Sequence, residues 1–212
     1  MSADCDVAVV GGGPSGLAAA TLAVELGLSV TLFDDQPRPG GQIYRGVESV
    51  AAHRPDHWSL LGSDYQAGLS LVEDFRGTDA VYRPGVVVWE VTEEGTLGIT
   101  EDGAARIVSA RRIIVAPGAM ERPVPISGWT LPGVMGAGAA QTLLKASGLV
   151  PGVPTVLAGS GPLIFLVATQ LVRLGAPPKA VLLTAPPANR RAAFAEIDSG
   201  VEIVNETTVM KT

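Results

Sequence analysis

The stretch DVAVVGGGPSGLAAATLAVELGLSVTLFDD, residues 6–35, constrains the fold of this chain more than any other. An apolar run, a glycine-rich turn, a helical stretch and a second apolar run follow one another almost without spacers. That order is the signature of a β-turn-α-β unit in a parallel sheet. Residues 6–10 are expected to form a buried strand. Pro14 stands where the helix opens, a position that tolerates its missing N–H, and Gly27 stands where it closes. Val30 to Phe33 form the next strand. Gly11, Gly13 and Gly16 fit GxGxxG: the first permits a tight turn, the second lets backbone approach a pyrophosphate, and the third lets helix and strand pack closely. Free N–H groups and the positive end of the helix dipole then face the phosphates. Asp34 closes the second strand roughly 20 residues further on, where a carboxylate would accept hydrogen bonds from an adenosine ribose. Asp35 is its neighbour, and strand alternation sends the two side chains opposite ways. Asp34 directly follows the apolar strand and is the choice.

A second glycine loop, GSGPLI at residues 159–164, also lies between an apolar run and a helical stretch. It keeps Gly159 and Gly161 but has Ile164 where the third glycine would be. Matching helix-closing Gly175 with Gly27, and allowing for the extra Pro177 and Pro178, puts Thr184 where Asp34 stands, so this unit lacks the ribose carboxylate. A structural remnant and a working site both remain open for it, and NAD(P) binding there is doubtful. The segment VPTVLAGSGPLIFLVATQLV has no charged residue and nearly the length of a membrane span. Its central GSGP divides it into a short β-branched run and a helix, so a buried strand and a buried helix are expected instead.

Between the two units, DDQPRPGGQIYRG reads as a loop, and Asp64 to Phe75 as a helix with Tyr65, Leu69 and Val72 on one face. VVVWEVT, TLGIT and ARIVSA are short strands separated by turns, an antiparallel meander. RRIIVAPGA is another expected buried strand, ending at a Pro-Gly loop. PVPISGWTLPGV has too many breakers for a regular element and is expected to link two domains, residues 1–122 and 123–212. Residues 138–147 read as a helix, and the end of the chain as one more strand. The expected fold class is α/β: a Rossmann-like domain with a small meander, then a second, incomplete Rossmann-like unit.

Composition excludes several functions. The formal charge of −6 leaves no basic stripe for nucleic acid. The lone Cys5 allows neither an intrachain disulfide nor a CxxC pair and fits a reducing, cytoplasmic setting. No basic segment precedes the first apolar run, so no signal peptide is expected. His53 and His57 have a zinc-like spacing, but Pro55 between them breaks the helix that would align them, and a pair of solvated loop histidines is expected. No catalytic side chain can be assigned from spacing, and any chemistry would belong to a cofactor.

GGGPSGLAAA, FDDQPRPGGQIYR, IIVAPGAMERPVPISGWTLPGVM and VLAGSGPL together resemble the pyridine-nucleotide-disulfide-reductase-like flavoproteins. Within them the resemblance is to the large subunits of opine oxidases, hydrogen cyanide synthase and hydroxyproline or proline dehydrogenases. It implies that the first loop binds FAD, with Gly11, Gly13, Pro14, Ser15 and Gly16 around the pyrophosphate and Asp34 on the ribose. Gly40, Gly41 and Gln42 would lie along the flavin side, and Val87 would meet the adenine through its backbone. Ala116 and Gly118 would match an Ala-Thr-Gly loop of the family, from which Pro117 departs. The implied activity is oxidation of the C–N bond of an amino acid or opine-like amine by hydride transfer to flavin, with a second subunit involved. Members usually run to about twice this length and complete the FAD site with a Gly-Asp segment that is absent here. The chain is therefore expected to be truncated, inactive alone, and to associate with itself or a partner. The contrasting readings are a non-catalytic nucleotide-binding scaffold and an NAD(P)H-dependent flavin reductase.

Overall fold

The computed structural model describes residues 3–184 and 200–204. The chain divides into two compact units, residues 1–119 and 120–212.

In the first unit, β1 (Cys5–Val10) leads through the glycine turn into α1 (Pro14–Glu25), which returns to β2 (Val30–Asp34). Pro14 occupies the first turn of α1. Beyond its last turn, Gly27 donates to the Val24 carbonyl (2.8 Å) and Leu28 to the Ala23 carbonyl (3.1 Å). This pair of bonds satisfies carbonyls that the helix end leaves open, and Gly27 reaches the required left-handed conformation without a Cβ penalty. Three further helices follow, α2 (Val47–His53), α3 (Pro55–Leu61) and α4 (Ser63–Arg76). Tyr65, Val72 and Phe75 of α4 are buried, whereas Leu69 is only half-buried. The sheet continues with β3 (Val81–Pro84), β4 (Val87–Val91), β5 (Thr96–Glu101) and β6 (Ala104–Val115). Its order is β3-β2-β1-β6-β5-β4, with β3, β2, β1 and β6 mutually parallel and β6, β5 and β4 antiparallel.

Two expectations change here. ARIVSA and RRIIV are not separate strands but one, because β6 pairs antiparallel with β5 through Ser109 and parallel with β1 from Ala110 onward. Nor is its second half buried: Arg111, Arg112, Ile114 and Val115 are exposed. The histidines are also not in a loop. His53 ends α2 and His57 lies in α3, with Pro55 opening α3 between them. Among the described residues no group of three metal-ligating side chains comes together.

The core explains why β1 is apolar from Val7 to Val10. Val9 faces α1, touching the close approach at Gly16, while Ala8 packs on Phe33, Val86, Leu97, Ile99 and Ala110 under the meander. Leu17 and Ala20 of α1 are fully buried. Burying a leucine completely contributes about 1.5–3 kcal/mol.

The second unit repeats the theme. After α5 (Ala137–Ser147) come β7 (Val156–Gly159), α6 (Pro162–Arg173), β8 (Ala180–Leu183) and β9 (Glu202–Val204), the three strands parallel in the order β7-β8-β9. α6 ends as α1 does, with Gly175 donating to Val172 and Ala176 to Leu171. The apolar segment is thus a strand and a twelve-residue helix, and no described helix is long and apolar enough to cross a membrane. Of the expected final strand, β9 is described and residues 205–212 lie outside the described residues.

The packing of α1 against β1 gives the first prediction. A Cβ at Gly16 would stand 1.8 Å from the Gly11 carbonyl oxygen, and backbone cannot yield as a side chain can. Gly16→Ala should therefore lower stability by at least ~2 kcal/mol in denaturant melts. Gly77→Ala, at a right-handed helix end where the nearest atom is 3.4 Å away, should stay within about 0.5 kcal/mol.

Candidate nucleotide-binding site

The candidate site is assembled from four backbone segments that converge on the α1 N-terminus. The first is the turn Gly11–Gly16 itself. Leu17 makes the first intrahelical bond, to the Gly13 carbonyl (2.9 Å), so the amides before it have no acceptor within the helix. The second is the segment at Ala116, whose N–H donates to the Val10 carbonyl (2.8 Å). A Cβ at Gly11, itself at φ +105°, would meet the Ala116 carbonyl oxygen at 2.2 Å. Gly118, further along, is exposed and has no atom within 4 Å of a Cβ position.

The third segment is the Gly40–Gly46 loop. Gly40 donates to the Gly12 carbonyl (2.8 Å), and a Cβ at Gly41 would lie 2.7 Å from the Gly13 Cα. The loop therefore rests on the glycine turn, and only glycine at position 41 permits it. Its far side is anchored by α4: the Tyr44 ring sits on Gly68, and the Tyr65 hydroxyl donates to the Arg45 carbonyl (2.8 Å). Gln42 is exposed and accepts a hydrogen bond from Arg45 (3.1 Å).

The fourth is the end of β2. Asp34 is 5% exposed and Asp35 is exposed, which separates the two neighbouring acids. The Asp34 carboxylate accepts from the Gln36 N–H (3.2 Å) and the Tyr82 hydroxyl (3.4 Å). Burial pushes its pKa above the ordinary aspartate range, while the Gln36 and Gly12 backbone and Tyr82 act in the opposite direction. Burial also raises the Tyr82 phenol, and the adjoining Asp34 charge adds to it. The carboxylate lies directly against the turn: a Cβ at Gly12 would meet its Oδ2 at 2.2 Å. Gly12 and Tyr82 are site residues that sequence reasoning missed. The run of three glycines was the available signal for Gly12, whereas nothing local announces Tyr82. The Val86 N–H donates to the Asp34 carbonyl (2.9 Å), which brings the start of β4 beside Asp34, although the Val87 side chain itself is half exposed.

The second glycine loop differs where the sequence said it should, with one correction. Ile164 is buried in the core cluster with Leu157, Val181 and Leu183, filling the space that Gly16 leaves to backbone in the first unit. The strand register sets Leu183, not Thr184, opposite Gly159. The same register in the first unit carries Gly11 to Asp34, one step past Val10 and Phe33. The extra residues before β8 therefore shift the equivalence by one, and a buried leucine stands where the carboxylate would be. Arg190 and Arg191 lie outside the described residues.

Comparison with known proteins agrees with this architecture. Residues 9–75 match the family described as NAD(P)-binding Rossmann-like domain. Its homologues include an opine oxidase subunit of Agrobacterium tumefaciens, 46% identical over 85% of this chain and 37% of that protein. Hydrogen cyanide synthase subunit HcnB of Pseudomonas protegens is 38% identical over 77% of this chain and 35% of its own length. The chain thus spans little more than a third of the length of these two relatives. Among solved structures, a mutant of the HOCl-induced flavoprotein disulfide reductase RclA from Escherichia coli superposes with a TM-score of 0.67. It is 17% identical and covers 99% of this chain and 51% of its own, a likeness of fold.

The Asp34 environment makes a pH prediction. Only the ionised carboxylate can accept bonds from two ribose hydroxyls, so dinucleotide affinity should fall on acidification at a pH above the ordinary aspartate range. Tyr82→Phe removes a bond that favours the ionised form, so the acid limb of the profile should move further up. An acid limb unmoved by Tyr82→Phe would detach Tyr82 from the carboxylate.

Proposed function

We propose that the chain is the FAD-binding part of a flavin-dependent oxidoreductase subunit whose substrate is an amino acid or opine-type amine. The observation that carries this reading is the cradle at Gly12–Gly13 and Gly40–Gly41. Two backbone segments meet there with no side chain between them, beside a buried carboxylate at the end of β2. A diphosphate suits this turn because backbone amides and the helix dipole favour negative charge, and glycine at position 41 lets the loop rest on Gly13 where a Cβ would collide with it. The subunit names of the homologues, opine oxidase and hydrogen cyanide synthase, support an amino acid or opine-type substrate and a second subunit. Bound flavin would supply a two-electron acceptor for hydride from the substrate carbon next to nitrogen. This chain's residues would hold it: the amides of Gly13, Ser15 and Gly16 along the phosphates, Asp34 on the adenosine ribose, Gly40 to Gln42 toward the flavin. Val87 at the β4 end would flank the adenine, with Ala116 and Gly118 in the segment behind Gly11. Pro14 presets the first turn of α1.

The purified chain should take up FAD and show a flavin absorbance band. Asp34→Ala should weaken FAD retention by about 1.5–3 kcal/mol, the range of a charge-assisted hydrogen bond, and Asp35→Ala by much less. Equal losses at both positions, or a chain that takes up no FAD, would overturn the assignment.

A second reading is favoured by the NAD(P) in the description of the family that matches residues 9–75: a nicotinamide dinucleotide in the same turn. Calorimetry separates the two. The FAD reading expects no micromolar NADH binding at either glycine loop, because Ile164 and Leu183 deprive the second of its close approach and its carboxylate. Micromolar NADH binding that FAD displaces would favour nicotinamide at Gly11–Gly16, and binding that FAD leaves intact would favour a reductase passing electrons from nicotinamide to flavin.

A further inference from the structure

Arg45 sits in the loop that rests on the glycine turn, and its charge is not matched by the groups around it. One terminal nitrogen donates to the Gln36 side-chain carbonyl (2.6 Å) and the other to the Gln42 side-chain carbonyl (3.1 Å). Both acceptors are neutral. The Nε donor is buried and has no partner among the described residues, and no described carboxylate forms an ion pair with the guanidinium. Asp35 reaches it only at second hand, by accepting from the Gln36 side-chain amide (3.0 Å). A half-buried guanidinium with neutral acceptors and an orphaned donor is costly, and nearby negative charge would offset that cost.

The position of this cation indicates what would supply the charge. Gln36 is tied through its backbone N–H to Asp34, the adenosine end of the proposed site. Gln42 adjoins Gly41, which rests on Gly13. The guanidinium therefore bridges a side chain that follows the β2 end, Gln36, and one in the loop that rests on the glycine turn, Gln42. That turn carries no lysine or arginine of its own. The Arg45 backbone is fixed where it stands, since Tyr65 donates to the Arg45 carbonyl and the Tyr44 ring packs on Gly68.

We propose that Arg45 is a diphosphate-binding residue of this site, its planar fork turning from the glutamine carbonyls to phosphate oxygens when a dinucleotide binds. A guanidinium matches two phosphate oxygens at once, which a neutral side chain cannot do and a lysine does only as a point charge. Gln36 and Gln42 are then holding groups that keep the fork beside the turn in the empty chain. The inference rests on the dinucleotide reading of the Gly11–Gly16 turn and adds to it the side chain that neutralises the diphosphate.

The test is a titration of the wild-type chain, Arg45→Gln and Arg45→Lys with FAD and with ADP, each at low and high salt, beside their thermal unfolding midpoints without ligand. ADP carries the diphosphate without the flavin. Arg45→Gln should weaken both ligands about ten- to a hundredfold and flatten the salt dependence of binding, while unfolding at or above the wild-type temperature. Arg45→Lys should fall between the two and keep the salt dependence. Wild-type binding with Arg45→Gln within about twofold of it would overturn this inference and leave the cofactor reading standing. A loss equal in both variants with unchanged salt dependence would also overturn it, as damage to the loop rather than loss of charge. A wild-type chain that binds neither FAD nor ADP would overturn the cofactor reading, and this inference with it.

Discussion

The contact between Gly16 of α1 and the carbonyl of Gly11 is where the architecture of the first unit is decided. It lets the helix start directly over the end of β1, so the helix axis points its open amides at the turn rather than past it. It also sets Val9 against the helix and leaves Ala8 to the meander, which is how a single short strand becomes buried on both faces. The second unit shows the alternative solution. Ile164 stands at the equivalent position as a buried side chain packed with Leu157, Val181 and Leu183. One residue type thus divides a unit packed backbone to backbone from one packed through a side chain.

The site works against the stability of the chain that holds it. Asp34 is buried beside Gly12 and Tyr82, and burial disfavours its ionised form, so its charge is retained at a cost in the empty chain. Acidification relieves that cost: because the folded-state pKa is raised, protonation favours the folded chain, and this contribution is lost as pH rises through the shifted value. Arg45 is the counterpart, a cation with neutral acceptors and an idle donor. Asp34 has its bonds from Gln36 and Tyr82, whereas Arg45 keeps a buried donor idle.

Much of this was legible in the sequence, and the physical reason is that β-turn-α-β units are specified locally. The apolar run, Pro14, Gly27 and the GxGxxG spacing all lie within residues 6–35, and each has a single-residue cause. Alternation along one strand also accounts for the difference between neighbouring acids, Asp34 buried and Asp35 exposed. What escaped was non-local. β6 is a continuous strand because it has different partners along its length, β5 and then β1, and no periodicity within it announces the change. β3 is short and half-exposed, with Pro84 at its end, and carries no strand signal of its own before it is seen beside β2. Tyr82 meets Asp34 only because that strand pairs. The Leu183 equivalence was missed by one residue because a helix-end glycine was used as the anchor. The number of residues between helix and strand is free to vary where strand register is not.

The most direct measurement is a crystal structure of the chain grown with FAD. The account predicts the diphosphate over the amides of Gly13, Ser15 and Gly16, the adenosine ribose hydroxyls on the Asp34 carboxylate, and the segment from Gly40 to Gln42 toward the flavin. A dinucleotide bound elsewhere, or one at this turn with its ribose turned away from Asp34, would contradict it.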